Sequence, residues 1–191
     1  MLLTGSAGID KNEAEGINVL KRAADRGSPM ANYNLGLIYE LAKFSQATNY
    51  PLAYQYYQKA HSLGNPQATV KVAKALFRGS LRTYDVEKNE TEAARLFERV
   101  ALAQSDPEGI YTWGVFLQKG LAGTPKDVAR AELFYKIAAD KGFSEAMYTL
   151  YVLYDSGLNG IRKPDLAMEY LDRAVAANNR RAIQAKSELG S

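Results

Sequence analysis

Ser28-Pro-Met-Ala-Asn-Tyr-Asn-Leu-Gly-Leu-Ile-Tyr-Glu40 decides how the chain is read. Ser28 can cap free backbone N–H groups, and Pro29 suits a first helical position, where its missing N–H costs nothing. Ala31, Leu35 and Tyr39 recur every four residues and share one helical face. Gly36 lies beside that face. A mid-helix glycine costs about 1 kcal/mol relative to alanine, so its presence predicts a close approach by another helix.

The stretch returns. Asn65-Pro66 opens a segment with Ala68, Val72, Ala73 and Leu76; Asp106-Pro107 opens one with Gly109, Trp113, Gly114 and Leu117. Ser144-Glu145 opens one with Ala146, Leu150, Tyr151 and Tyr154, and a weaker copy aligns Ala182 with Lys186. The leading small residues, 31, 68, 109, 146 and 182, are spaced by 37, 41, 37 and 36. A period of this size marks a solenoid or array.

A second helix type alternates with the first. Gly16, Ala53, Ala93, Ala131 and Ala167 are each followed four residues later by Leu20, Tyr57, Phe97, Tyr135 and Leu171. Ala23, Ala60, Val100, Ala138 and Ala174 come three residues after those, and Gly27, Gly64, Gln104, Gly142 and Asn178 close the pattern. Small residues let helices approach and the large one fills the space beyond. The expected helices are 12–26, 28–40, 51–63, 66–78, 90–103, 107–119, 126–141, 144–156, 164–177 and 179–188. Residues 1–11 read as a loop after a missing first-type helix, so Ile17 and Leu20 are expected to be partly uncovered at the end of a longer solenoid.

Composition sets further bounds. The 191 residues are 47% hydrophobic and 24% charged, which fits an ordered globular chain. A net charge of +3 is too mild to demand nucleic acid or an acidic membrane, and no apolar run is long enough to span a bilayer. With no cysteine, disulfides, cysteine-ligated zinc and thiol catalysis are excluded.

These residues resemble the Sel-one-like repeat family, a branch of the tetratricopeptide-like α-solenoids. Ala31, Leu35, Gly36, Tyr39, Ala131, Phe134, Tyr135, Lys136, Ala138, Ala139 and Gly142 carry the resemblance best. Simple tetratricopeptide repeats have a period near 34; the longer spacing and the loops Gly120–Gly123 and Gly157–Gly160 favour the longer family. Tyr151 and Ser187 stand where glycine is found at 36 and 114, so the helices are expected to separate at Tyr151, and the loop 43–49 lacks the glycines.

The resemblance implies an all-α fold, a right-handed α-solenoid of about ten helices in antiparallel pairs. It would be one domain over 1–191, with full repeats at 28–64, 65–104, 105–142 and 143–178 and a partial repeat at each end. It implies a non-enzymatic scaffold or adaptor that binds another protein or peptide on its concave face, with no cofactor, no nucleic acid and no membrane insertion. Members serve eukaryotic protein-quality-control complexes, bacterial envelope assembly and interaction with host cells; the sequence leaves the compartment open, and family usage alone leans to a bacterial periplasm or cell envelope. The alternative is a cell-envelope enzyme or a regulator of a cell-wall enzyme.

The expected partner surface is a row repeated on the first helices: Tyr33 and Leu37, Val70 and Lys74, Tyr111 and Val115, Tyr148 and Val152. The leading position of each pair lies about 200° round the helix from the first small residue. Tyrosine offers large contact area with a polar tip. The same rings could instead pack between adjacent helices, and the sequence leaves both uses open. His61, the single histidine, has no partners spaced for catalysis or metal binding. Trp113 reads as core, the charged stretch Glu87–Glu92 as a solvated loop, and Asp10, Asp127 and Asp165 as helix caps.

Overall fold

The computed structural model describes residues 13–44, 46–79, 84–157, 160 and 162–189. Among them are ten α-helices and no strand. These are α1 (Glu13–Asp25), α2 (Pro29–Glu40), α3 (Tyr50–Ser62), α4 (Pro66–Arg78), α5 (Glu90–Leu102), α6 (Pro107–Lys119), α7 (Val128–Asp140), α8 (Ser144–Ser156), α9 (Pro164–Ala176) and α10 (Arg180–Leu189). The fold is an all-α repeat fold, and every expected helix is present to within two residues at each end. The chain divides into two compact units, Met1–Leu96 and Phe97–Ser191.

Local chemistry repeats with the helices. Ser28, Asn49, Asn65, Asn89, Asp106, Asp127 and Asn179 each accept a hydrogen bond from the backbone N–H three residues on, at 2.8–3.2 Å. Each such cap contributes about 1 kcal/mol. Asp127 is thus the cap expected of it, whereas Asp165 lies inside the first turn of α9 behind Lys163, which makes no side-chain cap bond. Asp10 falls outside the described residues.

Each second helix ends alike. Ala23, Ala60, Val100, Ala138 and Ala174 accept from the N–H five residues later, at 2.9–3.2 Å, across a left-handed residue. That residue is glycine at 27, 64 and 142, but Gln104 and Asn178 reach φ of 46° and 56°. The loops from first to second helix also share one closure. Asn49, Asn89, Asp127 and Lys163 donate to the carbonyls of Tyr39, Leu76, Leu117 and Tyr154 at 2.8–3.0 Å, although the loops differ in length. In the glycine-free loop 43–49, the left-handed turns come just before and within it, at Ala42 and Phe44.

In the first unit α2 packs extensively on α3, and α1 and α4 flank that pair. Its core includes Ile17, Ala24, Ala31, Leu35 and Ile38, with Leu20 and Phe44 packed against them. Ile17 is only 4% exposed, so the uncovering expected of it is not found; Leu20 is half-buried and Val19 is open. Fully buried Asn32 donates its amide to the carbonyls of Ser28 (2.8 Å) and Ala24 (3.3 Å), tying α2 to the end of α1. In the second unit α6 pairs with α7 and α8 with α9, and α10 covers α9. Trp113 is buried there, as expected of core.

Candidate functional site

The two first-helix glycines have one structural reason. A Cβ on Gly36 would lie 2.4 Å from Cε1 of Tyr57, and one on Gly114 would lie 2.7 Å from Cε1 of Tyr135. Each glycine therefore seats an aromatic ring of the following helix, where a plain approach of two backbones was expected. Both rings are fully buried. Their hydroxyls emerge at the residue four positions beyond the glycine: Tyr57 donates to Glu40 at 2.5 Å and Tyr135 to Gln118 at 2.8 Å.

Where Tyr151 replaces the glycine, the ring position on α9 is held by Leu171, which is fully buried. The large residue has moved to the first helix and a smaller one stands on the second. α8 packs on α9 as extensively as α6 on α7, so the expected local separation does not occur.

Two of the row tyrosines lean on this framework. Tyr33 packs on Tyr57 with ring centroids 5.8 Å apart, and Tyr111 on Tyr135 at 5.5 Å and on Phe143 at 5.2 Å. Tyr148 meets Tyr151 at 5.7 Å and carries the Arg181 guanidinium over its ring at 4.8 Å. All three remain half-buried, as do Leu37, Lys74 and Val115, and Val152 is 37% exposed. Val70 is different: at 2% exposure it is packed and offers almost no area to a partner. Its side chain is too short to reach past its neighbours, as the tyrosines do at the same position.

Two polar clusters were not expected. In the first unit the Glu40 carboxylate receives the Tyr57 hydroxyl, the Lys71 ammonium at 2.7 Å and the Tyr84 hydroxyl. One side chain thereby joins α2, α3, α4 and the segment before α5. Burial pushes the Glu40 carboxyl up, but the bonds from Lys71, Tyr57 and Tyr84 outweigh it and hold the group below its ordinary range. Burial and the Glu40 bond raise the Tyr57 and Tyr84 phenols.

In the second unit Glu132 accepts from Lys136 and from the Tyr154 hydroxyl, both at 2.7 Å. Burial, and next the bond to Glu132, push the Tyr154 phenol up to about 12. A sequence signal did exist for part of this: Tyr57 and Tyr135 both lie 17 residues after their acceptors. These clusters are satisfied donor–acceptor sets that tie elements together. His61 is likewise structural. Its Nδ1 is hydrogen-bonded to the Thr69 hydroxyl at 2.9 Å, and that hydroxyl lies 3.0 Å from the Asn65 carbonyl at the entry to α4.

Comparison with known proteins agrees with this architecture. The Sel1 repeat matches at residues 1–28, 29–65, 66–105, 107–143 and 144–179, and the chain belongs to the Sel1 repeat family. A Sel1 repeat protein from Oxalobacter formigenes is 28% identical, with a TM-score of 0.79 over 93% of this chain and 70% of that one. The uropathogenic Escherichia coli protective antigen c5321, which displays an SLR fold, is 23% identical, with a TM-score of 0.74 over 92% of this chain and 36% of that one. The immunity protein Pa5087 from Pseudomonas aeruginosa shares 19% identity and a TM-score of 0.61, over 94% of this chain and 64% of that one. The last two similarities speak to fold alone. A search of curated proteins finds no match. No described helix is long and apolar enough to cross a membrane.

Proposed function

We propose that this chain is a non-enzymatic scaffold that holds a protein or peptide partner on its first-helix rows, the inner face of a repeat array. Sel1 repeat proteins generally mediate protein–protein interaction, and generally without catalysis. One observation carries the finer reading. The second-helix tyrosines Tyr57 and Tyr135 are sealed, whereas Tyr33 and Tyr111 rest on those buried rings, Tyr148 rests on Tyr151, and all three stay half open. An aromatic ring held in place loses little entropy on binding, which suits it to anchor a partner.

The row in use is Tyr33, Leu37 and Lys74 in the first unit and Tyr111, Val115, Tyr148 and Val152 in the second. The array over 1–191 acts as one binding domain, with repeats at 28–64, 65–104, 105–142 and 143–178. The test begins with affinity capture by the whole chain and identification of a stoichiometric protein partner. Tyr148→Ser combined with Val152→Asp, confirmed as folded by circular dichroism, should then weaken that partner about tenfold or more. A folded variant with full affinity would overturn the reading.

A further inference from the structure

The two first helices of the first unit carry complementary halves of one surface. In α2 the only charged residue is Glu40, already committed to Lys71, Tyr57 and Tyr84. Its open side is largely apolar, with half-buried Asn34 its one polar residue besides the committed Glu40. Met30 is 53% and Leu41 52% exposed, with Leu37 half-buried between them. In 100° helical steps these three fall within about 40° of one another.

α4 is the opposite. It has three cations, Lys71, Lys74 and Arg78, and no acid of its own; Lys71 is already paired with Glu40. Steps of three and four residues put them on one stripe. The same angular arithmetic places that stripe at the repeat positions that Asn34, Leu37 and Leu41 hold on α2. Much of the rest of α4, including Ala68, Val72, Ala73 and Ala75, is buried. The Lys71–Glu40 ion pair, at 2.7 Å, sets the basic edge of α4 beside the C-terminal end of α2.

We infer that this face of the first unit binds an acidic segment of a protein partner, with apolar side chains seated on α2 and carboxylates facing α4. The inference deepens the scaffold reading and rests on it. Charge complementarity selects the occupant. A basic stripe steers and orients a carboxylate-bearing chain, and the apolar residues Met30, Leu37 and Leu41 supply area that a polyphosphate could not use. The first helices of the second unit would not take the same ligand. α8 carries Glu145 and Asp155 with no cation, and α6 balances Glu108 with Lys119.

A random peptide library displayed on phage provides the probe, selected against the whole chain and, in parallel, against Lys74→Glu with Arg78→Glu. Arg78 is exposed and Lys74 half-buried, so circular dichroism checks the fold. Peptides rich in Asp or Glu with Leu, Ile or Phe should be enriched by the parent chain and lost on the variant. By fluorescence anisotropy, the best labelled peptide should bind the charge-reversed chain at least about tenfold more weakly. It should also weaken several-fold on Leu41→Ser.

No selectable peptide, no acidic enrichment, or enrichment unchanged on the variant would overturn the inference. A single-stranded oligonucleotide or anionic vesicles that displace the peptide and bind Leu41→Ser undiminished would overturn it too. Selected peptides that depend on Tyr148 and Val152 but ignore Lys74, Arg78 and Leu41 would sink this inference and leave the scaffold reading standing. A captured native partner indifferent to every first-helix row would sink that reading instead.

Discussion

Gly36 with Tyr57 in the first unit, and Gly114 with Tyr135 in the second, are the same joint finished differently. In both, the glycine seats a ring and the residue four positions on takes the hydroxyl. Gln118 ends the second joint with a neutral amide, whereas Glu40 ends the first with a carboxylate that also holds Lys71 and Tyr84. The apolar fit recurs because ring volume leaves no choice. The polar end varies because any acceptor of the right length satisfies a phenol.

The largest effects should come from the shared part. Gly36→Val and Gly114→Val each drive a branched side chain into a buried ring and should cost about 1–3 kcal/mol in urea denaturation. Tyr57→Leu combined with Gly36→Val should recover part of that loss, because α8 and α9 pack closely with a leucine, Leu171, at the ring position. A strictly additive double mutant would break the equivalence of the joints.

Next comes the difference between them. Glu40→Ala strands an ammonium and two hydroxyls and should cost about 1.5–3 kcal/mol, the range for hydrogen bonds to a charged group. Gln118→Ala strands one hydroxyl and should cost about 1 kcal/mol. Equal losses, measured by urea denaturation, would show that the charge at Glu40 adds nothing.

Each cluster also carries a pH dependence. Glu40 is held below its ordinary 4.5, so its contribution is present above that value and is lost as pH falls through the lowered one. Glu40→Gln should flatten the acid limb of stability. Tyr154 is raised from 10.0 to about 12, so its contribution is complete below 10.0 and is lost as pH rises through about 12. Tyr154→Phe should make the alkaline limb shallower, measured by denaturation across that range.

Much of this was legible in the chain because it is local. Caps at Ser28, Asn65 and Asp106, and terminators at Gly27, Gly64 and Gly142, act within a few residues of themselves. Repetition then assigned the helices to two types. Gly36 and Gly114 announced a close contact but not its partner, since the ring arrives from the following helix. Glu40 was missed because Tyr84 lies 44 residues away, and only packing brings them together. At the row, angle alone could not separate Val70 from Tyr33; side-chain length decides which of them reaches the surface.

The central claim is that partners are held by first helices and not by second ones, and both kinds expose reactive side chains. Hydroxyl-radical footprinting of the whole chain, with and without its captured partner, compares them directly. Met30, Leu37, Leu41, Tyr111, Tyr148 and Val152 lie on or at the ends of first helices, while Leu63, Leu102, Leu133 and Met168 lie on or at the ends of second helices. Protection confined to members of the first set, with Leu63, Leu102, Leu133 and Met168 as reactive as before, is the predicted result. Protection of the second set with the first unchanged would contradict it.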